Sequence, residues 1–114
     1  MHGLRVAGVS AAIALGLILP LGVLRADNDK KVAEGEAVYK KSCNMCHFPD
    51  KADKKMGPGL KDLFKNKELP QSHRPVSDAV VREQIEKGSK VMPAFAKKLE
   101  PAEIDNLMEY LKTL

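Results

Sequence analysis

The 114-residue chain has no tryptophan, and aromatic residues make up only 4% of it. It contains two cysteines, and both belong to the motif described below, which leaves none for a separate structural disulfide. A chain of this length that is poor in aromatic residues buries little core of its own and usually needs an additional stabilising group. The composition therefore predicts one small domain whose core is completed by a group other than its own side chains.

Residues 1–26 have the pattern of an export signal, with a basic start, an apolar stretch over 6–24 and a plausible cleavage site after Ala26. The sequence thus predicts a signal peptide over 1–26 and a mature domain over 27–114. Because 19 apolar residues approach the length of a membrane span, an uncleaved N-terminal membrane anchor is the alternative. Both interpretations place the domain outside the inner membrane, in the periplasm.

The most informative motif is Cys43-Asn44-Met45-Cys46-His47. The pattern Cys-x-x-Cys-His is the attachment site of a c-type haem, in which both thiols add to the haem vinyl groups. One helical turn separates the two sulfurs, and the adjacent imidazole then lies beneath the iron as an axial ligand. The motif therefore predicts covalent haem at Cys43 and Cys46, with His47 on the iron. A porphyrin would also supply the apolar mass that the composition lacks.

Two other interpretations fit the cysteine pair less well. A thiol–disulfide redox pair normally opens a helix within a βαβ pattern, and no such alternation surrounds these residues. A structural zinc site needs four Cys or His ligands. Beyond the motif, the chain offers only His2, in the leader, and His73.

The remaining pattern indicates an all-α chain of three or four short helices joined by long loops, without strands or repeats. Loops this long are expected in a small domain only where they surround another group. The third helix has Ser77 as its N-cap and Gly88 at its end, and the last has Pro101 at its first position with Glu103 in a capping box. The predicted helices run from Asp27–Asp29 to about Lys41, over 60–65, over 78–87 and from Pro101 onward.

A second axial ligand could come from any of five side chains: Met45, Met56, His73, Met92 and Met108. Met45 lies on the attachment segment itself and cannot reach the far face of the haem. Met108 lies on the apolar stripe of the last helix, where core packing is the simpler role. Met92 is the best candidate, because Pro93 favours an extended backbone before it and lets the thioether project from a loop. Met56 remains possible on chain length alone.

The chain resembles the class I c-type cytochromes, specifically the small monohaem bacterial type, over nearly all of residues 30–114. Four ordered motifs carry the resemblance, followed by a closing helix over 103–114. The motifs are Gly35-x-x-x-Tyr39, Cys43-Asn44-Met45-Cys46-His47, Gly57-Pro58-Gly59-Leu60 and Met92-Pro93-Ala94-Phe95.

The resemblance implies the cytochrome c fold wrapped around one covalently bound haem c. It implies Met92 as the axial ligand opposite His47, and a Pro58 carbonyl that accepts a hydrogen bond from His47. It also implies that Gly35 admits an aromatic side chain such as Tyr110 at the crossing of the first and last helices. The stretch 66–75 has no clear family counterpart, and His73 and Arg74 are the candidates there for haem propionate contacts.

The expected function is that of a periplasmic one-electron carrier and not of an enzyme, because His and Met ligation leaves no open position on the iron. The partners would be redox proteins, an electron donor and an acceptor, and no nucleic acid. Four lysines flank the segment Met92-Pro93-Ala94-Phe95 and could form a docking surface: Lys87, Lys90, Lys97 and Lys98. Two alternatives are a fixed electron-entry subunit of a membrane complex and a ligand-binding or peroxidatic haem protein.

Overall fold

A computed structural model describes residues 3, 8, 11–18 and 21–114, so the predicted signal peptide lies partly outside the described residues. These described residues form three α-helices and one 3₁₀ turn: α1 (Leu21–Ser42), the 3₁₀ turn (Leu63–Lys65), α2 (Asp78–Lys87) and α3 (Pro101–Leu111). Within the described ranges no strand forms, and only an isolated bridge joins Glu68 and Pro75. The predicted all-α fold class is confirmed.

Helices α1 and α3 form the main packing contact, and α3 approaches α1 closely at Gly35. A Cβ at this position would lie 1.9 Å from the backbone oxygen of Asn106 and 2.9 Å from Cβ of Tyr110. The Tyr39 and Tyr110 rings lie beside the crossing, with centroids 5.4 Å apart. The predicted close approach of α3 to this glycine is confirmed, and the absence of a side chain is what permits it.

The hydrophobic core lies between the first and last helices and extends under α2 and the 3₁₀ turn. Its most deeply buried side chains are Tyr39 and Leu107. The apolar stripe predicted for the last helix comprises Ile104, Leu107, Met108, Leu111 and Leu114. Its first four residues are each at most 4% exposed, whereas Leu114 is half-buried. The remaining buried members are Leu63, Leu69, Val81, Ile85 and Leu99.

Helix α2 begins and ends where the sequence predicts. The Ser77 side chain accepts a hydrogen bond from Val80 N–H, and Gly88 follows the last helical residue with φ of 65°. A residue without a Cβ adopts this positive-φ conformation readily. The capping-box bond of α3 is also present, because the Glu103 carboxylate accepts from Glu100 N–H at 2.8 Å.

The prediction of a helix over 60–65 is wrong in type and extent, because only Leu63–Lys65 forms a 3₁₀ turn. The backbone of Asp62 prevents an α-helix from running through this segment, because its φ is positive at 58°. The Leu60 N–H donates to the carbonyl of Phe48, across the loop. A residue in the left-handed region cannot continue a right-handed helix.

The start of α1 also differs from the prediction. The sequence placed it at Asp27–Asp29, but the helix begins at Leu21, six residues earlier than Asp27. Capping side chains stabilise a helix end without requiring one, and no proline interrupts the chain between Leu21 and Asp29. None of the helices in the described part of the chain has the length and apolar character needed to cross a membrane.

Candidate functional site

The predicted attachment motif occupies the turn that directly follows α1. The carbonyl of Tyr39 accepts from the N–H of Cys43 at 2.8 Å, and the carbonyl of Cys43 accepts from the N–H of His47 at 3.1 Å. These bonds continue the helical winding through the motif, so one turn separates Cys43 from Cys46 and His47. Both cysteines are half-buried free thiols and are not joined in a disulfide. The backbone thus presents two thiols and one imidazole together.

The Cys43 thiol lies in a less polar environment than a surface cysteine. Burial, with a smaller contribution from Cys46, raises the pKa of the Cys43 thiol to about 11. The side chain packs against the edge of the hydrophobic core. Cys43 is therefore a neutral thiol at neutral pH.

A second loop returns to hold the His47 ring. The Nδ1 atom of His47 lies 2.7 Å from the backbone oxygen of Pro58, at hydrogen-bond distance. The N–H of Gly57 donates to the carbonyl of Cys46 at 2.8 Å and fixes the same loop to the motif. A carbonyl can only accept, so Nδ1 carries the proton and Nε2 keeps a free lone pair. The imidazole is thereby fixed in the tautomer that can bind a metal through Nε2.

Gly57 lies directly against this ring. A Cβ at Gly57 would lie 2.4 Å from Cε1 of His47 and 2.8 Å from Nδ1. The loop can approach the imidazole this closely only because the residue has no side chain. The need for glycine at this position follows from the tertiary contact and was not identified from the sequence.

Tyr39 supplies another contact that sequence reasoning missed. Its hydroxyl donates a 2.7 Å hydrogen bond to the carbonyl of His47, while its ring is 1% exposed. Burial, followed by the nearby Cys43, raises the pKa of the phenol well above its ordinary value, so it remains a donor. Although the sequence placed Tyr39 on the packing face of α1, nothing in the pattern indicated this hydroxyl contact.

The candidate axial methionines differ in their surroundings. Met108 is 3% exposed within the core, whereas Met45 and Met56 are 83% and 71% exposed. The Met56 sulfur lies 3.8 Å from Cys46 Sγ, on the attachment side. Met92 is half-buried against the core edge, in the irregular segment that the sequence predicted, and its sulfur lies 3.6 Å from Nε2 of Gln84.

The two residues guessed for propionate contacts are engaged elsewhere or exposed. The Arg74 guanidinium forms a 2.6 Å ion pair with Glu83 on α2. His73 has a positive φ of 55°, a side chain that is 77% exposed, and Glu68 as its neighbour at 3.4 Å.

Comparison with known proteins adds a family assignment. No curated protein and no solved structure matches the chain. The family model described as cytochrome c oxidase, cbb3-type, subunit III matches residues 30–111, which cover the attachment motif, the Gly57–Pro58 loop and the Met92 segment. This match implies a haem c cofactor and haem-based electron transfer. The chain belongs to this family and is a small c-type cytochrome.

Proposed function

We propose that residues 27–114 form a monohaem domain that carries single electrons between redox proteins in the periplasm. One haem c would be attached through Cys43 and Cys46 and ligated by His47 and Met92. When bound, the haem supplies a one-electron Fe(III)/Fe(II) couple that takes an electron from a reduced donor and gives it to an oxidised acceptor. The observation that carries the proposal is the contact of His47 Nδ1 with the Pro58 carbonyl beside two free thiols.

The attachment side fits this cofactor chemically. Two unpaired thiols one turn apart match two vinyl groups, and the adjacent imidazole has Nε2 available for the iron. The Pro58 carbonyl orients the ring and increases its basicity by accepting the Nδ1 proton in a hydrogen bond. Gly57 and Tyr39 restrict movement of the same histidine, from its ring and its backbone carbonyl respectively. These contacts keep the imidazole in one orientation in both oxidation states.

Among the methionines, the surroundings of Met92 suit a sixth ligand best. Met108 would have to leave a core in which it is 3% exposed, and Met56 lies beside Cys46 on the attachment side. Met92 instead lies in a loop at the edge of the core, with Phe95 half-buried nearby in sequence. A thioether favours Fe(II) and raises the reduction potential. With both axial positions held by protein side chains, no site remains for substrate, so the domain would not be an enzyme.

Spectroscopy of protein made in a host that matures c-type cytochromes tests the cofactor and both ligands. The haem should survive acid–acetone extraction, and the ferric protein should show the charge-transfer band of a sulfur–iron bond. Met92→Ala should abolish this band, whereas Met56→Leu, the matched control, should retain it. A band that survives Met92→Ala would contradict the sixth-ligand assignment. Rapid carbon monoxide binding by the reduced wild-type protein would instead favour a ligand-binding haem protein.

The lysines around the Met92 segment support docking to acidic partners. Lys87 is paired with Glu83 at 2.7 Å, and the ammonium of Lys98 lies 5.6 Å from the Phe95 ring centroid. Lys90 and Lys97 are exposed, and no carboxylate among the described residues lies within ion-pair distance of either. Uncompensated exposed charges of one sign accelerate encounter with an oppositely charged protein.

Charge reversal at these positions tests the docking surface. The double variant Lys90→Glu/Lys97→Glu should slow electron transfer with the physiological partner at low salt and reduce the dependence of the rate on ionic strength. Lys31→Glu is the control, because it reverses the charge of one lysine on α1, away from the lysines around Met92. A rate that is independent of ionic strength in the wild-type protein would argue against steering by these lysines.

The family description favours one second candidate, a fixed electron-entry subunit of a membrane complex. In that case residues 1–26 would remain attached as the anchor. The intact mass of the protein isolated from native membranes distinguishes this fixed subunit from a mobile carrier. A mass that includes the leader supports the fixed subunit, whereas a mass beginning at Asp27 supports the mobile carrier.

A further inference from the structure

The loop that follows the attachment motif (residues 48–61, called the 48–61 loop below) returns to that motif. Its Gly57 N–H donates to the carbonyl of Cys46 at 2.8 Å, and the same loop carries the Pro58 carbonyl that faces the imidazole. The carbonyl of Asn44, the second residue of the motif, accepts from no backbone N–H of the described residues. Backbone bonds thus leave one acceptor of the motif for a side chain.

Lys55 is the donor to this carbonyl. Its Nζ donates to the backbone oxygen of Asn44 at 2.9 Å, across 11 positions of the chain. The backbone of Lys55 is also held, because its N–H donates to the carbonyl of Gly57 at 3.0 Å. Both Lys55 and Asn44 are exposed, so the bond closes the 48–61 loop onto the motif at the surface of the domain.

The Phe48 ring holds the same ammonium from another side. Nζ of Lys55 lies 4.5 Å from the ring centroid, and Nζ of Lys51 lies 5.0 Å from it. A cation at this distance from an aromatic ring is attracted to it. Asp50 and Asp53 belong to the same loop, but no carboxylate of the described residues lies within ion-pair distance of Lys55. The charge of Lys55 is therefore uncompensated by a direct partner and restricted to one place beside the motif.

We propose that Lys55 is a positioning residue for the attachment motif and a fixed positive charge that raises the reduction potential of the attached haem. This inference rests on the proposed function, because it requires haem c on Cys43 and Cys46. The ammonium of Lys55 holds the Asn44 carbonyl, between the two cysteines in sequence, so the charge stays beside the attachment segment. Ferric haem carries one more positive charge than ferrous haem, and a nearby cation therefore favours Fe(II).

Lys55→Met tests the charge, because methionine keeps an unbranched stem over the Phe48 ring and removes the ammonium. For unit charges about 10 Å apart near a protein surface, the Coulomb energy corresponds to about a two- to fourfold shift in an equilibrium. The potential of the haem-loaded protein should therefore fall, by about 18–36 mV for such a shift in a one-electron couple. Lys55→Arg keeps the charge and a donor for the same carbonyl, so its potential should stay at the wild-type value.

Lys54→Met is the matched control. It removes the same charge from the adjacent exposed position, where the ammonium has no hydrogen bond, ion pair or aromatic contact to the described residues. Its potential should fall by less than half as much, because a mobile charge in solvent is more strongly screened. An unchanged potential in Lys55→Met, or equal falls in Lys55→Met and Lys54→Met, would overturn the role of Lys55 as a fixed charge.

Amide hydrogen exchange tests the positioning role without reference to the potential. The Gly57 N–H is bonded to the Cys46 carbonyl, so its exchange reports opening of the 48–61 loop. Lys55→Met should accelerate this exchange about two- to fivefold, the lower part of the range for one hydrogen bond, since both groups are exposed. NMR of the reduced, haem-loaded protein measures the rate. Equal exchange in the wild type, Lys55→Met and Lys54→Met would overturn the positioning role.

Acid–acetone extraction separates this inference from the function on which it depends. If extraction removes the haem from the wild-type protein, covalent attachment at Cys43 and Cys46 fails, and the proposed function fails with it. If the haem stays bound while Lys55→Met matches the wild type in potential and in Gly57 exchange, the proposed function stands and Lys55 has neither role.

Discussion

The hydroxyl of Tyr39 donates a 2.7 Å hydrogen bond to the backbone carbonyl of His47, eight residues further along the chain. The same tyrosine packs at the α1–α3 crossing, with its ring centroid 5.4 Å from that of Tyr110. One side chain thus connects the main helix contact of the domain to the backbone of the proposed haem ligand. Changes in the packing of α1 against α3 should therefore alter the position of His47.

Removing the Tyr39 hydroxyl should destabilise the protein without displacing the ring. We expect Tyr39→Phe to lower the free energy of unfolding by about 1 kcal/mol, the contribution of a typical hydrogen bond, because the His47 carbonyl loses this donor. Urea unfolding of the haem-loaded protein measures the difference. Tyr110→Phe is the matched control and should have a smaller effect, since that hydroxyl has no hydrogen bond to any of the residues that the structure describes. Equal losses in the two variants would contradict this account.

Gly35→Ala should disrupt the helix crossing. Alanine favours a helix over glycine by about 1 kcal/mol, but its Cβ would lie 1.9 Å from the backbone oxygen of Asn106. That atom belongs to α3 and cannot rotate away, so the helices must separate, at a net cost of about 1–3 kcal/mol. Thermal unfolding should show a lower midpoint. Ala37→Ser, at an exposed position of the same helix, should change stability little, and a stabilised Gly35→Ala protein would exclude the crossing described above.

Gly57→Ala should act on the haem more than on overall stability. A methyl group 2.4 Å from Cε1 of His47 would push the ring away from the Pro58 carbonyl. Without that acceptor the imidazole is a weaker donor, which disfavours Fe(III), so we expect a higher reduction potential. Redox titration followed by absorbance measures the change. Ala52→Ser, at an exposed position five residues before Gly57, is the control. Identical potentials in the wild type and both variants would argue against a role for the contact between Gly57 and His47.

Acid should weaken the contact between the loop that contains Arg74 and helix α2. The Lys87 and Arg74 side chains, in that order of effect, lower the pKa of Glu83 to about 2 from 4.5. A carboxyl whose pKa is lower in the folded protein stabilises it above pH 4.5, and this contribution disappears as the pH falls toward 2.

The comparison with Glu83→Gln isolates this contribution. The difference in urea midpoint between wild type and Glu83→Gln should be largest near pH 6 and shrink toward pH 2.5, and because it is a difference, acid effects on the haem largely cancel. A difference that stays constant over this range would mean that Glu83 does not carry the effect.

Some features could be predicted from local sequence because local chemistry alone produces them. The Ser77 side-chain cap defines the start of α2, and Gly88 with its positive φ defines the end; both act within a few positions. Pro101 and Glu103 define the start of α3 in the same way. The helix predicted over 60–65 was wrong because Asp62 has a positive φ of 58°, a backbone conformation that the local pattern does not indicate.

The amino-acid sequence by itself determined the all-α class and the Cys-x-x-Cys-His motif, since helix periodicity and the spacing of this motif are properties of adjacent residues. Tertiary structure decided which groups surround that motif. Tyr39 reaches the His47 carbonyl, Gly57 lies against the imidazole, and Gln84 approaches the Met92 sulfur only because the folded chain brings separate segments to within hydrogen-bond or contact distance. Such contacts depend on how whole helices and loops pack against one another, and the spacing of residues along the chain does not predict that packing.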